Sequence, residues 1–352
     1  MRIAQIAPLY EAVPPRLYGG TERIVSWLTE ALTDAGHEVT LFASSDSSTA
    51  ARLQPVPISS LRLAATGEPE VAAHYRLIED ALRHADEFDV LHFHTDYLHY
   101  PFMRRRPHAH LTTLHGRLDL PGMPELYAEY ADEALVSISD DQRRPLPRAN
   151  WIGTVQHGMP LWLHRAGRGD GGYLAFLGRI SPEKGPERAI AIAKRTGIPL
   201  RIAAKVDPAD RSYFEAEIRP LLDHPLIEFI GEVNETEKSE LLRGAMAVLF
   251  PIDWPEPFGL VMIEAMACGT PTIAFRAGSV PEVIDEGVSG FIVASVDEAV
   301  DAVGRLHLID RASCRARFEK RFAADRMADD YVRLYERLIS VPSIPRLRVA
   351  TA

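Results

Sequence analysis

Cysteine is scarce. Cys268 and Cys314 are the only two in 352 residues, too few for a disulfide framework or a cysteine-rich zinc site. Both read as reduced thiols. Long hydrophobic runs are missing as well, since no stretch approaches the roughly 20 apolar residues needed to cross a bilayer. The opening segment Met1–Ala7 reads as a strand and lacks the pattern of a secretory leader, so a cytoplasmic location is expected. Basic residues are outnumbered, 39 against 49 acids, for a net charge of −10. That balance argues against a nucleic-acid-binding protein, whose affinity rests on neutralising phosphates. It leaves room for a local basic pocket around a small anion. No Gly-x-Gly-x-x-Gly run joins an expected strand to the helix after it, as the turn of dinucleotide-binding proteins does, which disfavours a nicotinamide-dependent oxidoreductase.

What is present is ordinary globular material, 46% hydrophobic and 25% charged, in a length that suits two domains of similar size. Short apolar runs alternate with helical periodicity along the whole chain. Strands are expected at 2–9, 38–43, 88–94, 111–116, 134–139 and 151–156, with a weak one near 53–57. Helices are expected at 22–35 and 71–85. The second half repeats the alternation, with strands at 173–179, 199–205, 227–233, 247–250, 271–275 and 290–293 and helices at 186–196, 235–245, 297–308 and 324–339. Such alternation predicts an α/β protein of two Rossmann-like parallel-sheet domains, residues 1–166 and 167–323. Gly167–Gly172 is read as a flexible linker between them, and the tail from Val341 as loose.

Chemistry-bearing residues gather after strands, where open α/β sheets bind ligands. The run Glu256-Pro257-Phe258-Gly259-Leu260 follows the apolar strand Ala247–Phe250 and opens a short helix. The N–H groups of Phe258, Gly259 and Leu260 lack intrahelical partners and form a ready anion site, with Gly259 permitting close approach. Glu264 lies eight positions after Glu256. Arg179 and Lys184 stand at the end of another strand, placed to grip a pyrophosphate with one fork and one point charge. Gly19-Gly20 precedes the first helix, and two roles are open: turn chemistry, or close approach of a phosphate. His94 and His115 end two strands, whereas His92 alternates to the other face and reads as a core residue. A zinc cluster of these histidines is disfavoured, since their spacing matches no helix-based pair. Arg104-Arg105-Arg106 is a short basic run, either a solvated loop or a peripheral contact with an anionic acceptor or membrane surface.

The Glu-Pro-Phe-Gly-Leu run, the second Glu and the exit Gly269-Thr270-Pro271 together resemble the retaining glycosyltransferases of family 4. Their fold is GT-B, two Rossmann-like domains facing a cleft. The resemblance covers nearly the whole chain. It is densest from Phe176 to Val293 and loosest at 44–71 and 101–148, where acceptor contacts usually lie. It implies a hexosyltransferase that takes a UDP- or GDP-sugar and an acceptor. It assigns Gly19, Gly20, Arg179, Lys184 and the amides of Phe258, Gly259 and Leu260, next to Pro257, to the donor diphosphate. It further assigns Glu256 to the sugar, Glu264 to the ribose, Ile230 to the base and His115 to sugar positioning and transition-state charge. His94 and Asp96 are acceptor-side candidates. A closing helix, 324–340, is expected to pack back on the first domain. No metal or other cofactor is expected, because the Arg–Lys pair supplies the cations and no Asp-x-Asp ends a strand. Two rival activities remain: a nucleotide-sugar isomerase or hydrolase, and a non-catalytic nucleotide-sugar-binding subunit.

Overall fold

Two separate sets of apolar runs pair into two parallel sheets. The computed structural model describes residues 1–16, 19–64, 67–106 and 108–340, so the tail from Val341 lies outside the described residues. The first sheet has seven strands: β1 (Arg2–Ile6), β2 (Glu38–Ser44), β3 (Arg52–Val56), β4 (Val90–Phe93), β5 (His110–Thr113), β6 (Leu135–Ser137) and β7 (Trp151–Thr154). Their order is β3-β2-β1-β4-β5-β6-β7, with every pairing parallel. The second has six: β8 (Leu174–Arg179), β9 (Leu200–Lys205), β10 (Ile227–Gly231), β11 (Ala247–Phe250), β12 (Thr272–Phe275) and β13 (Gly290–Val293). Their order is β10-β9-β8-β11-β12-β13, also all parallel. Central strands such as β4 and β11 are buried along their whole length, which is why they read as unbroken apolar runs.

Each sheet reverses its winding once. In the first, the chain leaves β1 outward through β2 and β3, then returns to place β4 on the other side of β1. In the second, β8 and β11 flank the same kind of reversal. The loops after β1 and β4, and those after β8 and β11, therefore part at the carboxyl end of each sheet, the place where open α/β sheets bind ligands.

Helices cover the sheets with apolar stripes. In the first unit α1 (Gly20–Asp34) buries Ile24, Val25, Leu28, Ala31 and Leu32, and α2 (Glu70–Arg83) buries Leu77, Ile78 and Ala81. In the second, α3 (Pro186–Thr196) starts on proline and stops at the left-handed Gly197. Next, α4 (Glu235–Gly244) opens with a capping box of Asn234 and Glu237. The short α5 (Leu260–Ala267) is buried from Met262 to Ala267, which suits a helix that is apolar all round but for Glu264. Then α6 (Arg311–Arg321) is capped by the Asp310 carboxylate. The last helix, α7 (Ala324–Ser340), packs on α1 and β4 and buries Tyr331 and Tyr335.

The compact units are residues 1–138 with 145–158 and the closing helix, and residues 139–144 with 159–323. The glycine-rich stretch 167–172 is no loose linker. Gly167, Gly169 and Gly171 donate their N–H groups to the carbonyls of Cys268, Arg243 and Gly244, and Arg311 grips the Gly167 carbonyl at 3.0 Å. A Cβ at Gly167 would stand 2.2 Å from the Arg243 carbonyl oxygen. These glycines serve close packing inside the second unit, a role that composition does not separate from flexibility.

Candidate functional site

In the second unit the chain leaves β8 at Arg179, makes a short turn at Pro182–Lys184 and enters α3. Gly185 adopts φ +63°, and a Cβ there would lie 2.3 Å from the Pro251 carbonyl oxygen. The glycine thus lets the loop after β8 lie against the loop after β11. Lys184 and Glu256 meet there in a direct ion pair, with side chains only 17% and 12% exposed. The Trp254 indole N–H donates to the same Glu256 Oε2 at 3.0 Å, and Lys184 Nζ stands 4.6 Å from the Trp254 ring centre. This is a cation–π contact that holds the ammonium over an apolar wall. Behind the loop, Gly278 (φ +53°) abuts Glu256 so closely that a Cβ would be 2.3 Å from its amide nitrogen. Ser279 donates its N–H to the Glu256 carbonyl and its hydroxyl to the Phe258 carbonyl, at 3.0 and 2.7 Å.

Gly259, at φ +81°, is the N-cap of α5; its carbonyl accepts the Met262 N–H at 3.1 Å, and the Leu260 and Val261 amides open the helix end. Pro257 and Phe258 are buried, Phe258 against the Phe322 ring at 6.1 Å, so their side chains anchor the loop. Arg179 forms an ion pair with Glu183 and lies 3.6 Å from Asp207 and 3.5 Å from Asp210. Both cations of the expected anion grip are therefore held by carboxylates. Ile230 sits where the register of β10 with β9 shifts, and it is 38% exposed, unlike a core residue. Such irregularities turn a side chain out of its sheet face.

Glu264 turns to a different set of partners. Its Oε1 accepts from Lys238 Nζ at 2.6 Å, and Lys238 also reaches Glu235 at 3.0 Å. The pair is nearly closed to solvent, 10% and 6% exposed. His164 completes the group, 3.2 Å from Glu235. His164, Glu235 and Glu264 offer a set of metal-ligand atoms within 4.8 Å of one another, but the Lys238 ammonium already serves both carboxylates as cation. No hydrogen bond or ion pair joins Glu264 to Lys184 or Glu256 among the described residues.

In the first unit, Gly19 is extended and tightly packed, since a Cβ would meet that of Pro15 at 2.7 Å. Gly20 is exposed and is already the first residue of α1, so the helix starts two residues earlier than its apolar stripe suggests. One turn on, the buried Glu22 accepts the Glu11 N–H at 3.2 Å, and burial pushes its carboxyl up to about 7. The native state keeps a proton that the unfolded chain releases near 4.5. Stability therefore falls as pH rises from about 4.5 to 7, by about 3 kcal/mol in all. Glu22→Gln is expected to remove this loss. Urea midpoints of variant and wild type should diverge between pH 4.5 and 7.5, with the variant the more stable at the upper end. Parallel pH curves would contradict it.

His94 immediately follows β4, and His115 lies two residues past β5. Their rings are joined, His94 Nδ1 to His115 Nε2, at 2.9 Å, and His115 stacks on His157 with centroids 5.3 Å apart. Burial pushes His115 down to about 3 and His92, His94 and His157 well below the usual imidazole range. Burial thus favours the neutral imidazole throughout the group, and the help expected of His115 for transition-state charge is that of a hydrogen bond. His92 is a core residue, bonded to Tyr335 and Thr113 at 2.7 and 2.8 Å. Asp96 is exposed and holds φ +50°, an uncommon conformation that aspartate tolerates better than most. Arg104 is spent on Glu129 and the Tyr130 ring, and Arg106 on the Leu82 carbonyl.

Trp254, Lys238 and Gln5 carry no motif signal, yet they hold Glu256, Glu264 and His94. Against known proteins, residues 18–164 match the family described as Glycosyltransferase Family 4, and residues 166–321 match Glycosyl transferases group 1. A D-inositol 3-phosphate glycosyltransferase of Corynebacterium kroppenstedtii is 35% identical over 147 residues, 39% of this chain and 32% of that protein. The same-named protein of Mycobacterium tuberculosis is 30% identical over 189 residues, 50% of this chain and 39% of that one. The matches thus span between about a third and two fifths of the length of these curated relatives. Among solved structures, AviGT4, a glycosyltransferase involved in avilamycin A biosynthesis, superposes with a TM-score of 0.72 at 26% identity, covering 96% of this chain and 98% of that one. Sucrose-phosphate synthase from Thermosynechococcus elongatus shares the fold, with a TM-score of 0.77 at 21% identity over 96% of this chain and 99% of that one.

Proposed function

Because this chain belongs to the family 4, group 1 glycosyltransferases of GT-B fold, we propose that it moves a hexose from a UDP- or GDP-sugar to an acceptor hydroxyl, with retention and without a metal. The observation that supports this most is the Lys184–Glu256 contact beside Trp254, set where β8 and β11 reverse the sheet order. A cation beside a carboxylate suits the breaking of a glycosyl phosphate bond, where negative charge develops on the diphosphate and positive charge at the anomeric carbon. The leaving diphosphate gains negative charge as the anomeric C–O bond lengthens. Lys184, the Arg179 fork and the amides at the start of α5 stabilise that charge, and Gly20 lets the phosphate approach α1. On donor binding the phosphates replace Glu183 and Glu256 as partners of the two cations. Glu256 is then released to accept from sugar hydroxyls. Glu264, held by Lys238 through Oε1, keeps Oε2 for ribose hydroxyl donors. Ile230 offers an exposed apolar surface to the base. His94 and Asp96 serve the acceptor, and a phosphorylated polyol is the class suggested by the names of the curated relatives.

A panel of UDP-, GDP- and ADP-sugars tests the donor. The cognate one is expected to stabilise the fold by about 2.7 kcal/mol at a hundredfold excess over its Kd, read as a thermal shift. No shift with any of them would remove the donor assignment. Nucleotide release that rises only when an acceptor is present separates transfer from hydrolysis or isomerisation. Donor binding without turnover on any acceptor would mark a binding subunit.

A further inference from the structure

The histidine cluster of the first unit is wired to a buried amide and to the last helix. His94 Nε2 faces Gln5 Oε1 at 2.8 Å, and Gln5 Nε2 donates to the Tyr335 hydroxyl at 3.1 Å. Tyr335 in turn meets His92 Nδ1 at 2.7 Å, His92 Nε2 meets Thr113 Oγ1 at 2.8 Å, and Thr113 meets the Tyr331 hydroxyl at 2.8 Å. Gln5, His92, His94 and Thr113 are at most 2% exposed, as are both tyrosines. In so dry a setting each contact needs one proton and one lone pair, so the directions are coupled.

The direction follows from Gln5. Its Nε2 faces the Tyr335 hydroxyl and His92 Nδ1, at 3.1 and 3.4 Å, and its Oε1, which can only accept, faces His94, so His94 Nε2 carries a proton. A neutral His94 then has a bare Nδ1, which can only accept from His115 Nε2. We propose that Gln5 and His94 hold His115 as the neutral tautomer protonated on Nε2, leaving Nδ1 as a hydrogen-bond acceptor. Nδ1 of His115 makes no hydrogen bond among the described residues, and the residue as a whole keeps some exposure to solvent. The tautomer assignment stands on these contacts alone. Its consequence for the donor rests on the reading that His115 meets the sugar. An acceptor nitrogen recognises a hydroxyl. A carboxylate at that position would bring lone pairs against a lone pair, and a deoxy carbon would leave it unpaired. The site therefore selects a hydroxylated hexose over its uronic-acid and deoxy counterparts. Gln5 is a positioning residue here, and Tyr335 anchors its amide.

Histidine labelled with nitrogen-15 in the full chain reads the tautomer directly, through two-bond proton–nitrogen correlations. The His115 signals are identified by their loss in His115→Gln. Protonated Nε2 with unprotonated Nδ1 on both His94 and His115 is expected at pH 7.5. Protonation on Nδ1 of His115, or a charged ring, overturns the proposal. In Gln5→Met the single pattern should give way to a mixture, and kcat/KM should fall at least about tenfold, as for one lost hydrogen bond. An unchanged His115 pattern in a folded Gln5→Met overturns the role of Gln5. Should that variant not fold, the wild-type spectrum alone decides the tautomer. The two readings fail separately. Undiminished transfer by His115→Ala with an intact wild-type pattern sinks the sugar contact and leaves the tautomer standing. A wrong tautomer with an inactive His115→Ala does the reverse.

Discussion

Lys184→Ala is expected to lower kcat/KM by about a hundred- to a thousandfold, and Glu256→Gln by a similar factor. The estimate is that for one donor aimed at developing charge in a water-poor site. Lys184 is the point charge nearest the turn into α3, and its ammonium rests over Trp254 rather than in bulk water. On the proposed mechanism, its stabilisation of a departing diphosphate is therefore poorly replaced by solvent. Glu256→Gln keeps the shape and one acceptor but removes the charge opposite a developing oxocarbenium ion. Because the two side chains touch, their losses are not independent. The double variant should fall well short of the product of the two single effects. Steady-state rates with the cognate donor check all three, and near-wild-type turnover by both single variants would take these residues out of the mechanism.

Lys238→Met is expected to cost about 3–5 kcal/mol of stability, because it strands the Glu264 carboxylate in a buried position without its cation. Replacing both members, Lys238→Met with Glu264→Leu, should recover most of that loss, since an apolar pair of similar volume needs no solvation. Donor binding should not recover with it, because Glu264 would no longer offer an acceptor to the ribose. Urea unfolding and nucleotide titration on the two variants separate the structural part of this pair from its ligand-binding part. A single variant within 1 kcal/mol of wild type would show that the carboxylate finds other partners.

The pair also shows what could not be seen in advance. Glu264 was legible because it stands eight positions after Glu256, a local spacing on one loop and helix. Its partner Lys238 lies 26 positions upstream, on another helix, in a stretch that reads as an ordinary charged face. Gln5 and Tyr335 are 330 positions apart, and nothing local to either announces a hydrogen bond. The glycines at 167–172 look like a linker for the same reason. The backbone they admit belongs to Arg243 and Gly244, and it is distance in space, not composition, that makes them necessary.

The amino-acid order alone determined the alternation of strands and helices, because parallel strands buried on both faces must be continuous apolar runs and helices must show their own period. It also determined which residues end strands, and so which side chains stand at the carboxyl edges of the sheets. Only the tertiary structure decided which of those side chains are paired and in what protonation state. Lys184 is already held by Glu256, Glu264 is held by Lys238, and His115 is a neutral ring at the end of a buried chain of hydrogen bonds. Charge and tautomer depend on desolvation and on partners within about 3 Å, and those are properties of packing between segments far apart in the chain.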